Sequence, residues 1–230
     1  MVRIFVLNPV SISIWNRITE KTLKKIAFKD TELSVGNLDD GPRSIESDSD
    51  VVLAAPRVVE KVLEAEGKGY DAAVINCFDD PGLEAAREKA SILVLGVGET
   101  SMLTALHLGY RFAVISTGEK SKASYDIKAL KLGVRDRLAY ASGIPLHVLE
   151  LRTDEERTRR MILEEGKKAV EEHLAEVIVL GCSGMIGLAE WMSEELKVPV
   201  IDPAITTFKI AEALASIGLK HSKRYLYRID

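Results

Sequence analysis

The chain of 230 residues contains two cysteines, Cys77 and Cys182, and each one closes a similar stretch of sequence. Residues 71–77 and 176–182 both run from an acidic residue through four apolar residues and one small or polar residue to the cysteine. The two cysteines lie 105 positions apart. A free cysteine is most often a small buried hydrophobic residue. Two cysteines at equivalent points of an internal repeat favour a shared chemical role instead.

Two thiols that face one carbon from opposite sides can exchange protons with it. The pKa of an unperturbed thiol is about 8.5, so one cysteine can act as a thiolate base while the other stays protonated as the acid. Removing a proton beside a carbonyl group creates an enolate oxygen, which needs hydrogen-bond donors. The backbone N–H groups of Phe78 and Asp79, and of Ser183 and Gly184, would serve if they stood at helix N-termini.

The elements that must position these cysteines alternate between strands and helices. Short β-branched runs separated by amphipathic stretches are typical of βα units around a parallel sheet. Eight strands are predicted, at residues 3–7, 32–35, 72–75, 92–95, 111–115, 138–141, 177–180 and 198–201. Helices are predicted at 53–66 and 154–174, with Thr153 and Asp154 at the start of the second. The first strand, aligned as residues 4–7 with 113–116, extends the repeat.

We therefore predict two similar α/β halves, each with its cysteine just beyond the carboxyl end of a strand. Ligands of open α/β sheets bind at that edge. If the halves face each other across a pseudo-twofold axis, both cysteines reach one cleft. Other polar residues predicted at strand ends are Asn8, Ser116 and Thr117. Turn formation is the alternative role for all three of them.

Two further segments lie close to these strand ends in the sequence. Residues 37–50 form a long loop rich in Asp, Ser, Gly and Pro, which is either a ligand clamp containing Ser44 and Ile45 or a solvated connection. After the first cysteine, Asp80 followed by Pro81 predicts the N-cap and first turn of a helix.

Composition excludes several classes of function. The net charge is −4 with acidic and basic residues interspersed, which argues against nucleic acid or anionic membranes as partners. No apolar run reaches the roughly 18–20 residues of a membrane span. The N-terminus lacks signal-peptide features, and two cysteines give no disulfide framework, so we expect a cytoplasmic protein. No zinc pattern, dinucleotide fingerprint or Walker A string is present. Apolar helix faces favour a homo-oligomer.

These motifs resemble the aspartate/glutamate racemase superfamily, and within it the hydantoin and allantoin racemases. The resemblance rests on Asn8-Pro9, on residues 41–46, on the string Cys77-Phe78-Asp79-Asp80-Pro81-Gly82, and on residues 180–185. It implies two pseudosymmetric α/β subdomains with mostly parallel four-stranded sheets and the active site between them. Their approximate bounds would be residues 1–100 with 209–230, and residues 101–208. It also implies no cofactor and a small-molecule substrate.

By this resemblance, Cys77 and Cys182 would be the two acid–base residues. We expect the substrate to be bound by residues at the strand ends, in the long loop and after each cysteine: Asn8, Ser44, Ile45, Phe78, Asp79, Thr117, Gly181, Ser183 and Gly184. Amino-acid racemases of the superfamily usually have Thr-Glu after the second cysteine. Ser183-Gly184 stands there instead, which argues against aspartate or glutamate as the substrate.

The leading hypothesis is a cofactor-independent racemase of a 5-substituted hydantoin or of a related ureide such as allantoin. Within the superfamily, an amino-acid racemase or a maleate-isomerase-like enzyme is the alternative. Arylmalonate decarboxylases resemble this layout but keep only the later cysteine, so Cys77 argues against that reaction. From another class, a non-catalytic two-lobed binding protein would also fit a repeated α/β architecture, because fold alone decides no function.

Overall fold

The computed structural model describes residues 1–228, so the last two residues of the predicted first subdomain lie outside the described residues. The chain divides into two compact units. The first unit is Met1–Val97 together with the segment that starts at Ala204, and the second is Gly98–Pro203. No helix in the described part of the chain is long and apolar enough to cross a membrane.

The first unit contains a four-stranded parallel sheet with helices packed around it. Its elements are β1 (Val2–Asn8), α1 (Asn16–Lys24), β2 (Thr31–Asn37), α2 (Asp48–Gly67), β3 (Ala72–Ile75), α3 (Leu83–Lys89), β4 (Leu93–Gly96) and α8 (Pro203–Ser216). The strand order is β2-β1-β3-β4. The second unit has the equivalent order β6-β5-β7-β8. Its elements are α4 (Val97–Leu108), β5 (Phe112–Thr117), α5 (Ser121–Lys131), β6 (Leu138–Ile144), α6 (Glu155–Glu171), β7 (Val177–Leu180), α7 (Ala189–Leu196) and β8 (Val200–Ile201).

The predicted fold class is confirmed, with two similar α/β halves of four parallel strands each. All eight predicted strands are present, and β3 and β7 have the predicted bounds. Both of these strands are buried along their whole length, because helices cover both faces of a parallel sheet. The core of the first unit gathers side chains from its sheet with Phe208 and Ala211 of α8.

Two details differ from the sequence predictions. Helix α2 begins at Asp48, where the Ser47 hydroxyl accepts a hydrogen bond from the Asp50 amide at 3.2 Å, so the preceding loop covers residues 38–47 only. The first strand pairs in a different register from the predicted repeat. Leu7 pairs with Ile75, the last residue of β3, and Ile115 pairs with Leu180, the last residue of β7. Leu7 is therefore equivalent to Ile115, and Asn8 is equivalent to Ser116 rather than to Thr117.

Candidate active site

Each cysteine lies two residues beyond the end of the strand next to the first strand of its unit. Cys77 follows β3, and Cys182 follows β7. Before each cysteine the backbone bonds in the same way: the Asn76 N–H donates to the Leu7 carbonyl at 2.8 Å, and the Gly181 N–H donates to the Ile115 carbonyl at 2.7 Å. In both sheets this is the point where the strand order reverses direction, which is where open α/β sheets bind ligands. Both cysteines are half-buried thiols.

The residues after Cys77 form a tight turn and not the start of a helix. The Asp80 N–H donates to the Cys77 carbonyl at 3.0 Å, Phe78 is buried and Asp79 is half-buried. The prediction of Asp80 as a helix N-cap is wrong. Asp80 and Gly82 both have left-handed backbone, with φ of 52° and 72°, so the helix starts only at Leu83. The expectation that Phe78 and Asp79 amides stand at a helix N-terminus is wrong for the same reason.

The side chain before Cys77 belongs to a chain of four asparagines. The Asn76 Nδ2 donates to Asn8 Oδ1 at 2.7 Å, and Asn8 Nδ2 donates to Asn16 Oδ1 at 2.8 Å. Asn16 Nδ2 then donates to Asn37 Oδ1, and Asn37 Nδ2 donates to the Leu38 carbonyl, each at 2.8 Å. We call these four residues the asparagine relay. The predicted site residue Asn8 is 3% exposed and both of its amide atoms serve the relay.

The long loop is held against the segment that follows β1. The Ser11 N–H donates to the Pro42 carbonyl at 2.9 Å, and the Leu38 N–H donates to the Val10 carbonyl at 3.0 Å. Of the two predicted contact residues, Ile45 is buried, while Ser44 is half-buried and donates its hydroxyl to Glu46 at 2.8 Å. The loop is therefore an ordered part of the first unit at the carboxyl edge of its sheet.

In the second unit, the residue before the cysteine is held through its carbonyl group. The Gly181 carbonyl accepts hydrogen bonds from the Ser116 hydroxyl at 2.7 Å and from the Tyr125 hydroxyl at 3.1 Å. A Cβ atom at position 181 would lie 2.7 Å from the Cβ of Ser116 and 2.8 Å from a methyl group of Val114. Glycine is therefore required at position 181, because Ser116 occupies the space that a side chain would need.

The residues after Cys182 form one turn of 3-10 helix, Ser183–Met185, in which the Met185 N–H donates to the Cys182 carbonyl at 3.0 Å. Gly184 is buried. The hydroxyl of Ser183 is buried and has no hydrogen-bond partner within residues 1–228. Thr117 ends β5 half-buried, and its carbonyl accepts a hydrogen bond from Ser121 at 2.5 Å. Across the described residues, no cluster of three or more His, Cys, Asp or Glu side chains could hold a metal ion.

Four residues of this framework were not predicted as site residues: Asn16, Asn37, Asn76 and Tyr125. Asn37 could have been predicted, because Asn8, Asn37 and Asn76 lie at or just after the carboxyl ends of three adjacent strands. Asn16 lies at the start of α1 and has no such signal, because only the folded chain brings it to the same edge.

Comparison with known proteins identifies the family of this chain. The family described as Asp/Glu/Hydantoin racemase matches residues 4–211. The chain belongs to this racemase family. It is therefore an isomerase of the racemase type, as the sequence motifs predicted.

Named relatives of this racemase match over almost its whole length. It is 37% identical to a hydantoin racemase of Pseudomonas sp. (strain NS671), covering 98% of this chain and 91% of the relative. It is 35% identical to a hydantoin racemase of Rhizobium meliloti, covering 97% and 93%. Among solved structures, the allantoin racemase from Klebsiella pneumoniae has a TM-score of 0.95 at 32% identity, covering 100% of this chain and 94% of that one.

Proposed function

We propose that this racemase inverts the chiral carbon of a 5-substituted hydantoin or of a related ureide such as allantoin, with Cys77 and Cys182 as its two acid–base residues. The observation that carries the proposal is the equivalence of the two cysteines. Each follows the same strand of its sheet by two residues, at the edge where that sheet reverses its strand order. Curated relatives named as hydantoin racemases, and a solved structure named as an allantoin racemase, support this substrate class.

The proposed reaction moves one proton in each direction. One cysteine, as a thiolate, takes the proton from the chiral carbon and becomes a thiol, and the electron pair of the C–H bond moves into the neighbouring carbonyl group as an enolate. The other cysteine gives its thiol proton to the opposite face of that carbon and becomes a thiolate. The product is the mirror-image substrate, and no cofactor takes part. The mechanism requires both sulfur atoms to reach the same carbon.

The surrounding residues supply binding groups of the right kind. A hydantoin ring carries two carbonyl groups, and the buried Ser183 hydroxyl is a donor that can bond to a carbonyl as its charge rises. Gly181 and Gly184 keep the backbone around Cys182 free of side chains. We assign the remaining contacts to the strand end, the ordered loop and the turn after Cys77: Asn8, Thr117, Ser44, Ile45, Phe78 and Asp79. Ser183-Gly184 in place of Thr-Glu favours ureides over amino acids.

The first prediction concerns the two cysteines themselves. We expect Cys77→Ser and Cys182→Ser each to lower the rate of racemisation by at least about a thousandfold, since a serine hydroxyl is a far weaker acid than a thiol. The measurement is the loss of optical rotation of enantiopure 5-substituted hydantoins and of allantoin, after subtraction of the spontaneous rate. Aspartate, glutamate and maleate complete the panel of substrates.

Proton exchange provides the control for this experiment. In heavy water, turnover by the unmodified enzyme should place deuterium on the chiral carbon of the inverted product. Full racemisation by either serine variant, or inversion without deuterium from the solvent, would contradict the two-thiol mechanism. A chain that binds these ligands with unchanged affinity and never inverts them would belong to the non-catalytic class.

We also propose that the enzyme works as a homo-oligomer in the cytoplasm. The outer faces of two helices carry exposed apolar side chains, with Val52 and Leu53 on α2 and Ile127 and Leu130 on α5 all more than half exposed. Self-association would cover such side chains. A cytoplasmic setting keeps both acid–base residues reduced, which their chemistry needs. Sedimentation equilibrium of the purified chain tests the first statement, and a monomer at micromolar concentration would refute it.

A further inference from the structure

The asparagine relay uses every side-chain amide that this chain possesses. The sequence contains four asparagines, at positions 8, 16, 37 and 76, and no glutamine. They come from three strand ends and from the start of α1, yet they form one continuous chain of hydrogen bonds between 2.7 and 2.8 Å. A relay that gathers every amide side chain and ends beside Cys77 points to a role at the site.

The direction of the relay is fixed at its far end. The Leu38 carbonyl can only accept a hydrogen bond, so Asn37 must present its Nδ2 there and keep its Oδ1 for Asn16. The same constraint passes through Asn16 and Asn8 to Asn76, whose Nδ2 must donate. Each amide plane is therefore held in a single orientation.

The near end of the relay is unsatisfied. Asn76 is 4% exposed, and its Oδ1 has no hydrogen-bond partner among the described residues. A buried acceptor left without a donor destabilises the folded state. A network that served stability alone would end on a partner at both ends. The open end lies instead in the residue that is covalently joined to Cys77.

From these observations we infer that Asn16 and Asn37, acting through Asn8 and Asn76, are positioning residues that set the place of the Cys77 thiol. This inference rests on the proposed function, in which Cys77 exchanges a proton with the substrate. The relay ties the peptide before Cys77 to the ends of β1 and β2 and to α1. An error of about 1 Å in a reacting group can cost up to a hundredfold in rate.

We expect the isotope effect to change for one enantiomer only, although turnover becomes slower for both. When Cys77 is misplaced, proton transfer to and from Cys77 becomes slower, while transfer at Cys182 keeps its rate. With substrate deuterated at the chiral carbon, the isotope effect on kcat should rise for the enantiomer whose deuteron Cys77 removes. For the other enantiomer, whose deuteron Cys182 removes, it should not rise. A general loss of structure would change both directions together.

The variant that tests the inference is Asn16→Ala, because Asn16 is half-buried and lies in the middle of the relay. We expect kcat to fall on the order of tenfold with KM within about twofold, and the isotope effect to rise for one enantiomer. Asn16→Asp should restore part of the lost rate, since its carboxylate still accepts from Asn8 and so preserves the half of the relay next to Cys77.

Tyr70→Phe is the matched control. Tyr70 precedes β3, whereas Cys77 follows the other end of that strand. The Tyr70 hydroxyl donates to the Ser34 hydroxyl at 2.7 Å within the same unit. This variant should keep both isotope effects of the unmodified enzyme. Thermal unfolding followed by circular dichroism confirms that each variant is folded.

The outcomes separate this inference from the proposed function. Unchanged isotope effects in folded Asn16→Ala, or equal rises for both enantiomers, overturn the relay while an inactive Cys77→Ser leaves the two-thiol mechanism intact. If Asn16→Ala does not fold, Asn16→Asp decides alone, and a symmetric change in its isotope effects also overturns the relay. Racemisation at full rate by Cys77→Ser overturns both.

Discussion

The two units share their strand order and the place of their cysteine, but they hold the residue before that cysteine by different means. In the first unit, the Asn76 side chain fixes this residue through the asparagine relay. In the second unit, Gly181 has no side chain, and two hydroxyl groups fix its carbonyl oxygen. The difference shows that one backbone geometry can be maintained by two unrelated sets of polar contacts. The two units thus share the place of the cysteine but not the side chains that hold the residue before it.

The largest expected effect comes from making the second unit resemble the first at this position. Gly181→Ala places a Cβ atom 2.7 Å from the Cβ of Ser116. Overpacking of this kind costs roughly 1–3 kcal/mol, and we expect Tm to fall by roughly 3–10 °C with a strong loss of racemisation. The measurements are thermal unfolding and optical rotation.

A second substitution tests the cause of this loss. Ser116→Gly removes the atom that clashes, but it also removes the hydroxyl that donates to the Gly181 carbonyl. It should therefore lower Tm less in the Gly181→Ala background than in the unmodified chain, where only the hydrogen bond is lost. An equal change of Tm in both backgrounds would show that steric conflict with Ser116 is not the reason for glycine at this position.

An intermediate effect is expected when the two hydroxyl groups are removed from the Gly181 carbonyl. Tyr125→Phe or Ser116→Ala alone leaves one donor in place, so each should cost about 0.5–1.5 kcal/mol. The double variant leaves a buried acceptor without a donor, and we expect its loss to exceed the sum of the single losses. Urea unfolding of the four proteins gives this double-mutant cycle. If the two single losses of unfolding free energy added up to the loss in the double variant, the two hydroxyl groups would not be satisfying the same carbonyl group.

The smallest effect concerns the outer edge of the first sheet, where the chain after α8 meets β4. The Nε2 atom of His221 lies 2.9 Å from both the amide nitrogen and the carbonyl oxygen of Val94. Burial lowers the pKa of His221, and the positive charges of Arg87 and Lys223 act in the same direction. The folded state therefore disfavours the protonated ring.

The sign of the pH effect follows from this lowered pKa. The contribution of His221 is present above its ordinary pKa of about 6.5, and it is lost as the pH falls from there through the lowered value, since the unfolded chain binds the proton first. Across this pH range, the free energy of unfolding of the unmodified chain should fall by less than about 1 kcal/mol relative to that of His221→Gln, because the ring is only half-buried. Urea unfolding of both chains at several pH values measures this difference. A difference between the two proteins that stays constant with pH would contradict this role.

The sequence was sufficient for the strands because parallel strands covered on both faces have a simple pattern. Residues 72–75 and 177–180 are continuous apolar runs, and they were assigned to the correct residues. The position of each cysteine beyond its strand followed from the same pattern. These features depend on local composition and on burial alone, which a single sequence displays directly.

The turn after Cys77 could not be predicted from local preferences. Asp80-Pro81 is typical of a helix start, but Gly82 has left-handed backbone, and a Cβ atom there would lie 2.7 Å from the carbonyl oxygen of Ala55. Close packing of this turn against α2 thus overrides the capping preference. The asparagine relay was missed for a related reason. Its hydrogen-bonded pairs lie 8, 21 and 68 positions apart in the sequence, and only the folded sheet edge brings their amide groups together.

The division of the chain has a consequence for its synthesis on the ribosome. The second unit is one continuous segment, Gly98–Pro203, whereas the first unit is built from the segments on either side of it, Met1–Val97 and the segment that starts at Ala204. Phe208 and Ala211 complete the hydrophobic core of the first unit. During translation, the later-encoded half can thus finish folding while the earlier-encoded half still exposes an incomplete core, and the order of maturation is the reverse of the order of synthesis.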